Sequence, residues 1–463
     1  MTNQILSDKK ERQILRKTEG VCEHCGNRVD AFMVKIGEDI FFEKHCPEHG
    51  ICCVRIAFSK YYEGLEKFYF SITEKKEYCS VEMVELVVSF SCNMNCPVCY
   101  LGDFTKTLKD YNPTLQEIER FLKTTQHRAL VISGAEATCR EDLCDIIKLL
   151  KSYGKTVSLN TNGIKLTDFE YVSRLKNAGL DRVNMQFTGF SSEAEITLRG
   201  NDYIEKKLQA LENLRKLNVS TGLNVLIAGG LNDSQIGRII EFAAKNKNIK
   251  MVNLSTMIFV GNTKDYPRSY YLMPDDIIQF VEDQTKQSIK PNNVYIFKKL
   301  EIVISSFLNK NTCLYHQGYV LVRKDGGIRP IDYYVDLGKI EPYLDKYQKL
   351  YLRNIVLAKL YLLSVSLLIA IRHVKIFKAA GELVRYFGSY FFNRDYFLNP
   401  TSLMTLVFSV ECDYLRKDYT MYGKNCPCKA VFFAKYSNGK IVTDSSAHED
   451  TYWFLWRKKK TKT

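Results

Sequence analysis

From residue 84 onward the chain alternates between two hydrophobic periods. Short apolar runs at 84–89, 129–133, 156–160, 182–187, 222–227 and 251–257 read as strands, rich in Val, Ile, Leu and Met. Each is followed by a stretch in which apolar residues recur three and four positions apart, and these predict helices over 114–125, 141–153, 168–178, 203–217, 234–245 and 274–287. Six repeats of strand then helix imply a parallel sheet, which right-handed crossovers curve into a partial (β/α)6 TIM-like barrel. In such barrels the reactive groups sit at the C-terminal ends of the strands, so the loops after each run are where chemistry is expected.

Flanking regions follow other patterns. Residues 1–20 read as a charged, partly helical lead-in, and 31–43 as one hairpin of alternating residues. Residues 54–83 form an aromatic-rich connection, with Cys79 lacking an evident partner. Beyond the barrel, 350–392 is aliphatic and aromatic with basic punctuation at Lys359, Arg372, His373, Lys375 and Lys378. Its apolar run is marginal for a membrane span, so a helix lying at an anionic membrane interface fits it, with a single span or a buried helical hairpin as alternatives. The chain ends in a basic tail, Trp456 to Thr463. Together these patterns divide the chain into a metal-binding segment at 1–80, the barrel at 81–290 and a C-terminal region at 291–463.

Composition narrows the setting. Fifteen cysteines without an apolar signal region predict a reducing cytoplasmic interior where thiols serve metal, not a disulfide scaffold. The net charge of +14, from 66 Lys and Arg against 52 Asp and Glu, favours an anionic partner or a solvated basic surface. Aromatic and basic residues do not alternate as on an RNA-binding platform, so no specific nucleic acid is expected.

Two cysteine groups carry metal-ligand spacing. Cys22 and Cys25, then Cys46 and His49, have the paired-knuckle pattern of a closed four-ligand site for zinc or iron, and Cys52 or Cys53 is the alternative to His49. His24 is a bystander in this reading. After the first barrel strand, Cys92, Cys96 and Cys99 stand in a Cys-x3-Cys-x2-Cys loop. Three thiolates hold three irons of a [4Fe-4S] cluster and leave one iron open to substrate; a structural zinc knuckle is the alternative.

That loop, its preceding strand and the Asn and Pro that punctuate it resemble the radical S-adenosylmethionine (SAM) superfamily. The resemblance implies that the open iron chelates SAM and that reductive cleavage gives a 5'-deoxyadenosyl radical, with an external electron donor. Ser133-Gly134-Ala135-Glu136-Ala137-Thr138 stands where the superfamily has Gly-Gly-Glu-Pro-Thr, with Ala135 and Ala137 as departures. By the same resemblance Glu136 meets the SAM ammonium, Asn162 and Gln186 reach the ribose, and Arg199 pairs with the carboxylate. Cys46-Pro47-Glu48-His49-Gly50, Gln186-Phe187-Thr188-Gly189, Leu198-Arg199-Gly200 and the 230–237 segment resemble one branch, described as pterin methyltransferases or tetraether lipid synthases. The segment from Cys313 to Asp336 resembles that branch's post-barrel region. Cys313, Cys412, Cys426 and Cys428 would supply an auxiliary [4Fe-4S] cluster, while Cys139 and Cys144 read as packing residues.

The leading expectation is therefore a radical SAM enzyme abstracting hydrogen from an apolar substrate, a lipid chain, at the inner face of the membrane. Methyl transfer to a pterin or another small heterocycle is the second. A non-catalytic metal-binding module docking nucleic acid is the third.

Overall fold

The computed structural model describes residues 12–73 apart from Glu23, 83–258 apart from 103 and 108–111, 261–309, 312, 314, 316–324, 327–374, 403–409, 430–437 and 440–450. Cys79, Cys313, Cys412, Cys426, Cys428 and the basic tail lie outside these residues, so the expected auxiliary cluster does too. The chain forms two compact units, Met1–Ser80 with Leu272–Pro427, and Val81–Tyr271 with Cys428–Thr463.

In the first unit, β1 (Arg12–Val21), β2 (Arg28–Ile36), β3 (Asp39–Cys46) and β4 (Gly50–Phe58) form an antiparallel sheet in sequence order. The lead-in was expected to be partly helical, yet residues 12–21 are a strand. They pair with β2 from Arg12↔Ile36 to Val21↔Arg28, burying Thr18, Gly20 and Val21 while Arg12, Lys17 and Glu19 stay exposed. Sheet pairing overrides the weak local propensity of a charged segment. The aromatic connection contains a helix, Ser59–Thr73. Arg55 ties β4 to the helix Pro274–Gln284, the expected sixth barrel helix, by bonding Asp39 at 2.7 Å and Asp276 at 3.0 Å. Burial pushes Asp275 beside it up to about 7, with Arg55 opposing.

Helix Leu337–Arg353 ends at Asn354, whose side chain accepts from the Val356 and Leu357 N–H groups and starts the helix Ile355–His373. Nineteen residues long and nearly all apolar, that helix is long and apolar enough to cross a membrane. Only Ala358 on it is buried, and Val356, Leu363, Leu367 and Ile371 are 64%, 59%, 70% and 64% exposed. Those four recur at near-helical spacing, so they form one uncovered stripe.

The second unit is the strand–helix alternation read from the sequence. The strands β5 (Met83–Ser89), β6 (Ala129–Gly134), β7 (Thr156–Thr161), β8 (Arg182–Phe187), β9 (Ser220–Ile227) and β10 (Ile249–Thr256) pair in parallel and in sequence order. In the first unit again, β11 (His316–Lys324) pairs with β12 (Gly327–Pro330) and with β13 (Leu403–Ser409). Back in the barrel unit, β14 (Ala430–Ser437) adds to the free edge of β5 in parallel and pairs with β15 (Lys440–Asp450). Three helices of this unit, Leu115–Thr124, Phe169–Asn177 and Ser192–Arg199, begin at side-chain caps. Thr114 and Glu117 make a reciprocal capping box, and the side chains of Asp168 and Ser191 accept the third N–H of their helices. Side chains alternate across each strand: Leu159, Val183, Met185, Leu223, Val225 and Leu254 are buried in an apolar layer. The opposite face carries Asn160, Asn184, Gln186, Asn224 and Asn253, and is polar.

Candidate functional site

The cysteine loop leaves the C-terminal end of β5 and is held by backbone contacts. Cys99 N–H bonds the Cys96 carbonyl at 3.1 Å, Gly102 N–H bonds the Cys99 carbonyl at 3.2 Å, and Asn262 N–H reaches the same carbonyl at 3.1 Å. Gly261, at φ +56, sits so close beneath Cys99 and Tyr100 that a β-carbon would overlap both carbonyl oxygens. Below the loop, Val98, Leu198, Ala228 and Met257 form an apolar floor. All three thiols are partly accessible. Burial pushes Cys92 up to about 12 and raises Cys99, with Cys96 adding to both. Such thiols ionise when a cation arrives to share their charge, as a cluster iron would. Three soft ligands on one short loop fit a cluster that leaves one iron open.

The end of β6 lies against this loop. Gly134 adopts φ +137, and a β-carbon there would collide with the Ser89 carbonyl. The next two N–H groups, of Ala135 and Glu136, bond the carbonyls of Ser89 at 2.8 Å and Ser91 at 3.0 Å. Glu136 is 1% exposed and accepts four hydrogen bonds: from Thr138 N–H at 3.1 Å, Thr138 Oγ1 at 2.6 Å, Thr161 Oγ1 at 2.7 Å and Asn162 N–H at 2.7 Å. Burial pushes its carboxyl up while these donors hold it down. Three of these donors converge on Oε1 and Asn162 N–H alone reaches Oε2, so Oε2 keeps acceptor capacity for an ammonium. Glu136 thus clamps the β6 turn to the end of β7. Asn162 extends the clamp, donating from Nδ2 to Asn93 Oδ1 at 2.8 Å and lying 3.9 Å from Cys92 Sγ.

On the β8 side, Gln186 and Arg199 meet at Thr188: Gln186 Nε2 donates to Thr188 Oγ1 at 3.0 Å and Arg199 Nε at 3.4 Å. Gly200, the left-handed cap of helix Ser192–Arg199, packs on Asn95 and Pro97 and brings Arg199 beside the cysteine loop. Nothing in the sequence singled out Lys207 and Glu195, which form a fully buried ion pair at 2.5 Å. Lys207 also donates to Gln186 Oε1 at 2.5 Å, so Gln186 must turn its Nε2 toward Thr188. Burial and then Arg199 bring Lys207 down to about 8, with Glu195 opposing. A buried lysine looks in sequence like any solvated lysine; the available signal was that Lys207 falls in helical phase with Ala210, Leu211 and Leu214.

Cys139 lies near this site as well. Burial raises its thiol, and the Asn93 N–H bonds its sulfur. Cys144 is raised by burial too.

The other cysteine group is a candidate metal site in the first unit. Ligand atoms of Cys22, Cys25, Cys46 and His49 all lie within 4.8 Å of one another. His49 Nδ1 is 3.4 Å from Cys46 Sγ and 3.7 Å from Cys22 Sγ. Burial opposes ionisation of Cys46, yet the His49 ring and the Glu48 and His49 N–H groups bring it down to about 6. Three thiols and one imidazole are a zinc-type donor set with no open position, which suits a structural role. Cys53 packs instead with Val34, Ile36 and Phe41, and burial pushes it up to about 12. His24 stacks on His49, ring centroids 5.2 Å apart.

Residues 86–243 match the radical SAM superfamily, and residues 14–57 match the HMPTM N-terminal zinc ribbon domain. The chain is 28% identical to the 7,8-dihydro-6-hydroxymethylpterin dimethyltransferase of Methanocaldococcus jannaschii, over 72% of this chain and 74% of that protein. It is 30% identical to a probable GTP 3',8-cyclase of Thermococcus kodakarensis, over 41% of this chain and 62% of that protein. Among solved structures, Streptococcus suis SuiB bound to the precursor peptide SuiA aligns at a TM-score of 0.40 with 17% identity, covering 49% of this chain and 50% of that one.

Proposed function

We propose that this radical SAM enzyme, whose superfamily domain spans residues 86–243, starts carbon-centred chemistry on a small nitrogen heterocycle of the pterin class. The observation that carries the substrate reading is the likeness to the pterin dimethyltransferase, which spans 72% of this chain. The polar inner face of the barrel supports it, because a heterocycle with N–H and carbonyl edges can use carboxamides that an alkyl chain cannot.

When bound, the cluster and SAM supply a 5'-deoxyadenosyl radical at the cost of one electron from an external reductant, releasing methionine. The chain's own residues hold and orient. Cys92, Cys96 and Cys99 would ligate three irons. Asn162 ties the cysteine loop to the end of β7, and Glu136 fixes the turn against which the amino-acid end of SAM would lie. Arg199 offers a planar donor fork for a carboxylate, and Thr188 and Lys207 set the orientation of Gln186. A hydrogen atom taken from the substrate carbon would then end on the 5' carbon of 5'-deoxyadenosine, leaving the unpaired electron on the substrate carbon. The four-ligand ribbon would serve folding.

A second reading is hydrogen abstraction from a lipid chain by an enzyme docked on an anionic membrane. The exposed apolar stripe on helix Ile355–His373 favours it, with Arg353 and Arg372 at its ends to meet acidic headgroups. The two are separated by an anaerobic assay of 5'-deoxyadenosine release with SAM and reductant, adding either reduced 6-hydroxymethylpterin or phospholipid vesicles. Stimulation by the pterin alone supports the first reading. Stimulation by vesicles alone replaces it with the second.

A further inference from the structure

The inner face of the barrel holds a hydrogen-bond relay that ends in an unused acceptor. Glu85, on β5, accepts from Asn160 Nδ2 at 3.1 Å; Asn160 Oδ1 accepts from Asn184 Nδ2 at 2.9 Å. An ionised carboxylate only accepts, so Glu85 fixes the direction of both amides, and the far end of the relay must be Asn184 Oδ1. That oxygen has no hydrogen-bond partner among the described residues, although Asn184 is 8% exposed. A buried acceptor left unpaired is costly, and at a reactive site it marks where a ligand's donor belongs.

Gly222 supplies an independent observation. It is the β9 neighbour of Asn184, and its backbone is not in the left-handed region that calls for glycine. A β-carbon at Gly222 would lie 2.9 Å from Asn184 Oδ1 and 2.9 Å from Met251 Cε. Glycine therefore lets Met251 Cε and the unused acceptor pack over its Cα, where any side chain would displace the acceptor. Met251 flanks it with an unbranched, adaptable thioether that can withdraw for a ligand. One layer toward the strand ends, Gln186, Asn224 and Asn253 stand in register and continue the polar wall toward the cysteine loop.

We propose that Asn184, oriented by Glu85 through Asn160 and given room by Gly222, forms a subsite for an N–H edge of the substrate. The chemistry it recognises is a planar heterocycle presenting an amino group or ring N–H, as on the 2-amino-4-oxopyrimidine side of a pterin. An alkyl chain has no donor for it. This rests on the heterocycle reading above and deepens it by assigning the residues that choose the substrate. Glu85 and Asn160 are positioning residues, acting through the direction they impose on Asn184.

The test is binding without turnover. Anaerobically reconstituted full-length protein with SAM and no reductant is titrated with 6-hydroxymethylpterin, read by the pterin's fluorescence, and with its analogue lacking the 2-amino group. Wild-type protein should prefer the pterin. Asn184→Leu removes the acceptor and Gly222→Ala displaces it, and each should weaken pterin binding by about tenfold or more while leaving the analogue's affinity unchanged. Glu85→Gln frees the relay to reverse and should weaken the pterin in the same direction. SAM affinity serves as the folding control. Unchanged pterin binding in both Asn184→Leu and Gly222→Ala, with SAM still bound, overturns the subsite and leaves the heterocycle reading standing. Failure of wild-type protein to bind pterin while it binds SAM overturns both.

Discussion

Lys207 and Glu195 show how much of the site rests on residues that touch no ligand. Both are fully buried, and removing one partner strands a charge in a low-dielectric interior. Lys207→Met should therefore destabilise the fold by roughly 3–5 kcal/mol, and adding Glu195→Leu should recover much of that loss, as a denaturation double-mutant cycle would reveal. The pH dependence follows in sign. Native Lys207 sheds its proton near about 8 and the unfolded residue near 10.5, so between those values the unfolded chain binds more protons. Its contribution to unfolding free energy then rises with pH across that window, and Lys207→Met should flatten the slope in urea titrations at pH 8 and 10. Glu136 makes a contrasting case. Glu136→Ala strips an acceptor from Thr138, Thr161 and the Asn162 N–H, with an expected loss of about 3 kcal/mol in urea melts and a weaker hold of Asn162 on the cysteine loop.

At the scale of elements, β5, β6 and their loops act as one piece. Gly134 allows the β6 turn to lie on Ser89, and Gly134→Ala should cost roughly 1–3 kcal/mol and displace the cysteine loop, visible as loss of iron on reconstitution in a variant that still folds by circular dichroism. The ribbon should behave independently. Replacing Cys22 with Ser should remove the ribbon's metal while the iron bound through Cys92, Cys96 and Cys99 is retained, measured by elemental analysis. Helix Ile355–His373 is the element that decides the lipid reading. Leu363→Glu with Leu367→Glu changes side chains that are 59% and 70% exposed, so stability should move by about 0.5 kcal/mol or less. On that reading, flotation with anionic vesicles would be lost.

Across the whole molecule, the hydrophobic alternation of the barrel made its strands and helices legible, because one face of each strand is a continuous apolar layer. Apolar periodicity put helix starts at Thr114 and Asp168, which are N-caps in the structure, and the paired cysteines pointed to the ribbon site. What sequence could not reveal was decided by pairing and burial. Arg12 to Val21 is a strand because β2 offers it a partner, and Glu136 is committed to four protein donors that lie up to 26 residues away. The Glu85–Asn160–Asn184 relay joins residues from three strands, so no local spacing announces it. The two cysteine groups also differ in donor set: Cys22, Cys25 and Cys46 lie with a fourth potential ligand, His49, whereas Cys92, Cys96 and Cys99 share one loop.

A cluster held by the Cys92, Cys96 and Cys99 loop that cleaves SAM is tested by measuring 5'-deoxyadenosine formed by the anaerobically reconstituted, chemically reduced protein with SAM, beside a Cys92→Ala variant. Release by the wild-type protein and none above background by the variant is expected. Equal release by both, or none from wild-type protein that has taken up its iron and bound SAM, would rule out SAM cleavage at this loop.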